Sequence, residues 1–141
     1  MKDLKSLIIL FKAHTSIENV VKKSLENTDL SVNEFAALEA LYHKGSLSTQ
    51  GLIDLVLIPN SSMTYVLDVL HKKEYIKRIK DEKDRRIQRL TLTEAGHAKF
   101  EEVYKVHFEM LREVFDALDD AQEKELQTYL KIIGKKAQGG N

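Results

Sequence analysis

Between Lys72 and Thr93 the hydrophobic period of this chain changes, and that change limits the folds open to it. Before it, Met63, Val66, Leu67 and Leu70 recur at helical spacing. Then Tyr75, Ile76 and Ile79, followed by Ile87, Leu90 and Leu92, fall into two short runs flanking Asp81-Glu82-Lys83-Asp84. Short alternating runs around a charged turn predict a hairpin, with strands over residues 76–80 and 88–92. After Thr93 the helical period returns through Phe100, Val103, Tyr104, Phe108, Leu111 and Phe115. The chain therefore places one β-hairpin inside an otherwise helical frame.

The remainder reads as helix because breakers are scarce: there is one proline, Pro59, and six glycines in 141 residues. A first helix carries Leu4, Leu7, Ile8, Phe11, Ile17, Val20, Val21 and Leu25, and ends near 27–29. Ser31 and Glu34 form an S-x-x-E capping box, flanked by Leu30 and Phe35 as a hydrophobic staple. Lys44-Gly45 stops that second helix. A short helix starts near Ser48 or Thr49, with Leu52, Ile53 and Val56 inward. Another follows the break at Pro59, over about residues 60–73, with Asn60 as its expected N-cap. Thr93 caps a long helix, a turn at Leu118-Asp119-Asp120 starts the last one, and the tail 138–141 is expected to fray.

Composition excludes several classes of function. There is no cysteine, so disulfides, thiolate zinc sites, a thiol nucleophile and a cysteine redox switch are ruled out. The five histidines never pair at i, i+3 or i, i+4, so no metal site is expected. No phosphate loop, H-E-x-x-H or nucleophile elbow occurs, so no enzyme and no cofactor are expected. The longest apolar run, residues 7–11, is too short for a bilayer, and the start MKDLKSL has no apolar leader region. Those features predict a cytoplasmic chain without a membrane partner.

The net charge is zero, which at first argues against a nucleic-acid partner. The distribution reverses that inference. Residues 72–89 carry nine basic and four acidic side chains, a local +5, whereas residues 101–130 carry −6. The basic stretch coincides with the hairpin. Two helices joined by a short turn and followed by a hairpin describe a winged helix-turn-helix. Its second helix presents short polar side chains to base edges, here Asn60, Ser61, Ser62, Thr64 and Tyr65. Its hairpin tip carries cations that reach phosphate or a narrow minor groove, here Lys83, Arg85 and Arg86. Asp84 beside them can hold an arginine fork in one rotamer. Each feature alone has a plainer meaning: Asn-Ser-Ser is a common cap, charged turns are usual, and Tyr65 could serve a core or an interface. Their order in one run favours DNA reading.

The stretch 31–96 is similar to the MarR family of bacterial winged-helix regulators. The residues carrying the likeness are NSSMTYVLDVLHKK from Asn60, then EYIKR, then DEKDRRIQRLTLTEAG from Asp81 to Gly96. The most specific part is D-x-R within D-x-x-D-R-R, followed by L-T-x-x-G. YHKG and SSMTYVLDVL are similar to the subgroup responsive to quinones and related aromatics. The resemblance implies a mainly α homodimer with a two-stranded wing. It divides the chain into an N-terminal dimerisation helix (1–28), a DNA-binding domain (29–95), C-terminal dimerisation helices (96–138) and a tail (139–141). It implies that Asn60 to Tyr65 enter a major groove, that Arg86 enters the minor groove with Asp84 as buttress, and that Lys83 and Arg85 meet phosphate. The operator would be palindromic, and a small aromatic or phenolic effector would release a repressor. Phe11, His14, Tyr42 and His43 are candidate effector contacts, with core packing for Phe11 and Tyr42 and solvent exposure for both histidines as the alternative. A winged-helix protein–protein module without DNA binding is the competing functional expectation.

Overall fold

The computed structural model describes residues 1–139, without the side chain of Asn60. Six helices and three strands follow in the order α1 (Lys5–Ser24), α2 (Val32–Lys44), β1 (Ser46–Ser48), α3 (Thr49–Leu55), α4 (Asn60–Lys72), β2 (Ile76–Lys80), β3 (Gln88–Leu92), α5 (Glu94–Phe115) and α6 (Asp120–Ala137). The hairpin strands coincide with the expected ranges. A third strand, β1, adds to them: the sheet is antiparallel in the order β1-β3-β2, with Leu47 opposite Leu90 and Ile76 opposite Leu92.

Local chemistry sets most of the boundaries. Ser31 Oγ accepts the Glu34 N–H at 3.1 Å, and the Glu34 carboxylate accepts the Ser31 N–H at 3.2 Å, completing the capping box. Gly45 ends α2 at φ 81°, a left-handed value that costs glycine nothing. Ser48 and Thr93 cap α3 and α5 by accepting one main-chain N–H each, from Gly51 and Gly96, and Asp119 caps α6 with a full capping box with Gln122. One expectation fails: Asn60 is the first helical residue of α4, and Pro59 occupies the N-cap. Proline's fixed φ of −56° suits the entry to the helix, so no side-chain cap is required. Gly140 and Asn141, within the tail expected to fray, lie outside the described residues.

One core holds the winged unit together. Leu38 and Leu41 of α2, Leu52 of α3, Met63 and Leu70 of α4, Ile76 of β2, Leu90 of β3 and Phe100 of α5 are all buried. At about 1.5–3 kcal/mol for each large apolar side chain, this cluster dominates the stability of the unit. The end helices stand apart from it. At the start of α1, Leu7, Ile8, Ile9 and Phe11 are exposed, and only Ser24 and Leu25 at its other end are buried. α6 buries no residue, and its Tyr129, Leu130, Ile132 and Ile133 are exposed. Phe11 is therefore not a core residue of the single chain; it is 63% exposed because nothing packs over that half of α1. No helix among the described residues is long and apolar enough to cross a membrane.

Candidate nucleic-acid interface

α4 buries its apolar stripe, Met63, Val66, Leu67 and Leu70, against α2. That fixes the opposite face outward: Ser61, Thr64 and Tyr65 are exposed and Ser62 is half-buried. Tyr65 is 71% exposed, which removes the core reading for it. Asn60 heads the same helix.

The wing tip is an ordered turn. Asp81 Oδ2 accepts the main-chain N–H of both Lys83 and Asp84 at 3.0 Å, and main-chain bonds between Asp81 and Ile87 (2.9 Å) and between Ile87 and Asp84 (2.9 Å) close the loop. Asp84 then grips Arg86 three times. Its Oδ1 accepts the Arg86 main-chain N–H and Nε–H, and its Oδ2 accepts Nη2–H, each at 3.0 Å. The side-chain hydrogen bonds from Arg86, and then that from its main chain, hold the Asp84 carboxyl below the usual carboxylate range. Arg86 itself is 89% exposed at its side chain. Three of the five guanidinium N–H groups stay free to meet an acceptor, with the fork already oriented. Lys83 and Arg85 are exposed on the same turn.

A strap joins this wing to α4: Arg78 of β2 donates to Asp68 of α4 at 2.6 Å. Sequence reasoning missed this pair and the role of Asp81, although the D-x-x-D spacing of the tip was a usable signal.

The four candidate effector residues separate into pairs. Phe11 and His14 are exposed on α1, where His14 lies 3.8 Å from Glu18. Tyr42 and His43 meet edge to face at 5.5 Å at the end of α2. His43 is exposed, as is His14, whereas Tyr42 packs on Phe100 at 4.5 Å and donates to Glu101 at 2.9 Å. Stacking continues from Phe100 to Tyr104 and Phe108.

That aromatic run ends in a cleft of about 180 Å³ between α2 and α5, lined by Glu39, Tyr104, His107, Phe108, Arg112 and Phe115 among others. Burial pushes the Glu39 carboxyl up and the His107 imidazole down. His107 Nδ1 bonds Ser24 Oγ at 2.9 Å, and Arg112 is held by Glu123 and by Asp116 at 2.9 Å. Glu39 also lines an adjoining groove with His43, Lys44, Leu55 and Leu57. The cleft was not visible in the sequence, because Glu39 and His107 meet only through the packing of α2 on α5.

Comparison with known proteins identifies the family and the fold. A sequence model described as MarR family matches residues 30–88. The HTH-type transcriptional regulator MhqR of Bacillus subtilis is 33% identical over 136 residues, covering 96% of this chain and 94% of that protein. SarZ of Staphylococcus aureus is 32% identical over 97 residues, covering 67% and 64%. Among solved structures, BpsR of Bordetella bronchiseptica, whose DNA binding is regulated by 6-hydroxynicotinic acid, superposes at TM-score 0.81 with 21% identity, covering 89% of this chain and 90% of that one. A cysteine-to-serine mutant of MarR from E. coli, complexed with operator DNA, gives 0.76 with 20% identity, covering 94% and 99%. NadR in complex with 4-hydroxyphenylacetate gives 0.78 with 22% identity, covering 96% and 94%. The chain belongs to the MarR family of winged helix-turn-helix transcriptional regulators, and is a DNA-binding regulator rather than an enzyme.

Proposed function

We propose that two copies of this chain form a repressor that binds a palindromic operator and is released by a small aromatic or phenolic ligand. The observation that carries the DNA-reading part is the Asp84–Arg86 fork at an exposed wing tip, in one unit with the outward polar face of α4. Asn60, Ser61, Ser62, Thr64 and Tyr65 read base edges in the major groove. Arg86 enters the minor groove, and Lys83 and Arg85 meet phosphate. Pairing is supported by the exposed apolar residues of α1 and α6, which a single chain leaves in water.

The ligand part is supported by the α2–α5 cleft. The cleft of about 180 Å³ combines four aromatic or imidazole rings with the charged Glu39 and Arg112, a lining that suits a small substituted ring bearing a polar group. None of the four residues singled out in the sequence lines this cleft: Tyr42 is linked to it only through Phe100 and Tyr104, and His43 lines the neighbouring groove that shares Glu39. Phe11 and His14 lie on the α1 face open to a second chain. BpsR, regulated by 6-hydroxynicotinic acid, and NadR, solved in complex with 4-hydroxyphenylacetate, share the fold.

Gel shifts on DNA upstream of the protein's own gene, at rising salt, test the first part. Binding falls steeply with salt because phosphate contacts release counterions. Arg86→Ala weakens it by about 1–3 kcal/mol. An Arg86→Ala protein that binds as well as wild type would remove the wing from the interface.

A further inference from the structure

Four elements meet at the loop between α1 and α2. Asp29, in that loop, accepts the Tyr75 Oη–H at 2.7 Å and lies 3.3 Å from Lys99 Nζ on α5. Its main-chain carbonyl accepts from Lys73 Nζ, and Lys73 in turn donates to Glu34 at the start of α2, at 2.6 Å. Lys73 closes α4, and Tyr75 precedes β2. The Tyr75 main chain is held from both sides: its N–H donates to Leu70 of α4, and its carbonyl accepts from Thr93 at the head of α5, each at 3.0 Å. Beside the shared hydrophobic core, Asp29 thus gives a polar link between α5, the end of α4 and the start of the wing.

The contacts are partly exposed: Lys99 and Asp29 keep 24% and 43% of their side-chain surface in water. Pairs of that kind add little to stability. What they fix is direction. In a paired molecule the two reading units sit about 34–36 Å apart, and one base pair is about 3.4 Å, so a small change of angle at the root of each unit shifts the register by a base pair.

We propose that Asp29 is a positioning residue for operator recognition, which through Tyr75, Lys99 and Lys73 sets the angle of α4 and the wing on α5 and so the half-site spacing the protein accepts. This rests on the homodimeric DNA-reading function above. None of the Asp29 partners belongs to the base-reading face of α4 or to the wing tip, so the effect is transmitted and not a contact.

The test uses full-length wild type, Asp29→Asn and Tyr75→Phe. A duplex selected by wild type from a randomised pool is rebuilt with half-sites one base pair closer, one base pair further apart, and as a single half-site. Both variants are expected to bind the single half-site as wild type does. They bind the selected operator about tenfold more weakly, a change of about 1.4 kcal/mol, and discriminate less between spacings. Two results overturn the role: variants that keep the wild-type affinity and spacing preference, or variants that lose affinity equally for the single half-site and the full operator, which is the mark of a damaged fold. A wild-type protein with no affinity for any duplex would overturn the DNA-reading function itself and the positioning role with it.

Discussion

Replacing Gly96 by alanine is the sharpest perturbation the fold offers. In most helices this change adds about 0.5–1 kcal/mol of stability, because glycine loses more backbone freedom on folding. Here the sign reverses. A Cβ built on Gly96 falls 2.1 Å from the Tyr75 carbonyl oxygen and 3.0 Å from its carbon, both main-chain atoms. The gap must open by about 0.9 Å to reach even 3.0 Å, the lower bound of real Cβ contacts. The carbonyl cannot step aside freely. It accepts the Thr93 N–H at 3.0 Å, while the Tyr75 N–H is engaged by Leu70 and its hydroxyl by Asp29. Overpacking costs about 1–3 kcal/mol. Losing the Thr93–Tyr75 bond adds about 1 kcal/mol. Set against the helical gain, Gly96→Ala is expected to destabilise by about 1–3.5 kcal/mol, or roughly 4–14 °C in Tm. Urea unfolding followed by circular dichroism, at matched protein concentration, measures it. A variant as stable as wild type, or more so, would refute the close approach of α5 to the base of the wing.

Other predictions test separate parts. Asp84→Ala leaves Arg86 present but unheld, and should weaken operator binding less than Arg86→Ala does in the same gel shift. Glu74 adopts φ 64° at the end of α4, where the Leu70 carbonyl accepts the Tyr75 N–H; Glu74→Gly relieves that left-handed strain and should stabilise by about 0.5–1 kcal/mol in urea unfolding. His107 is held below the ordinary value of 6.5 by burial, so as pH falls through that value the unfolded chain takes up a proton the folded one resists, and stability declines. Glu39, raised by burial, works in the other direction: it contributes below the ordinary glutamate range and loses that contribution as pH rises through its folded value. His107→Gln should flatten the acid-side decline in a series of melts. Ile133→Glu places a charge on the exposed apolar face of α6, and should shift the species seen in sedimentation toward monomer while leaving the winged unit folded.

Legibility in the sequence followed the range of the interactions. The strands 76–80 and 88–92 were readable because alternation and a charged turn are local, and so were the Ser31 and Thr93 caps. β1 was not. Ser-Leu-Ser carries no strand pattern of its own and is extended because β3 supplies its partners. The N-cap assignment to Asn60 failed since proline geometry before it already sets the helix entry. At the wing, Asp84 and Arg86 were legible because they are two residues apart. Asp29 with Tyr75, and Ser24 with His107, are brought together only by the folded chain. The exposed apolar faces of α1 and α6 were visible as composition, and the structure shows that the chain's own core does not cover them.

The separation of charge has a kinetic consequence. A regulator that is basic all over is pulled toward any duplex from afar and lingers on it. This chain has no net charge to feel such a pull, but its wing region and its α5–α6 region carry opposite signs. Beyond the screening length, about 8 Å at physiological salt, a duplex exerts little force on it. Closer in, the duplex exerts a torque, drawing the wing forward and pushing the acidic helices away. If the wing meets DNA as proposed, encounters are expected to be oriented before any base is touched, and visits to unrelated sequence to be brief.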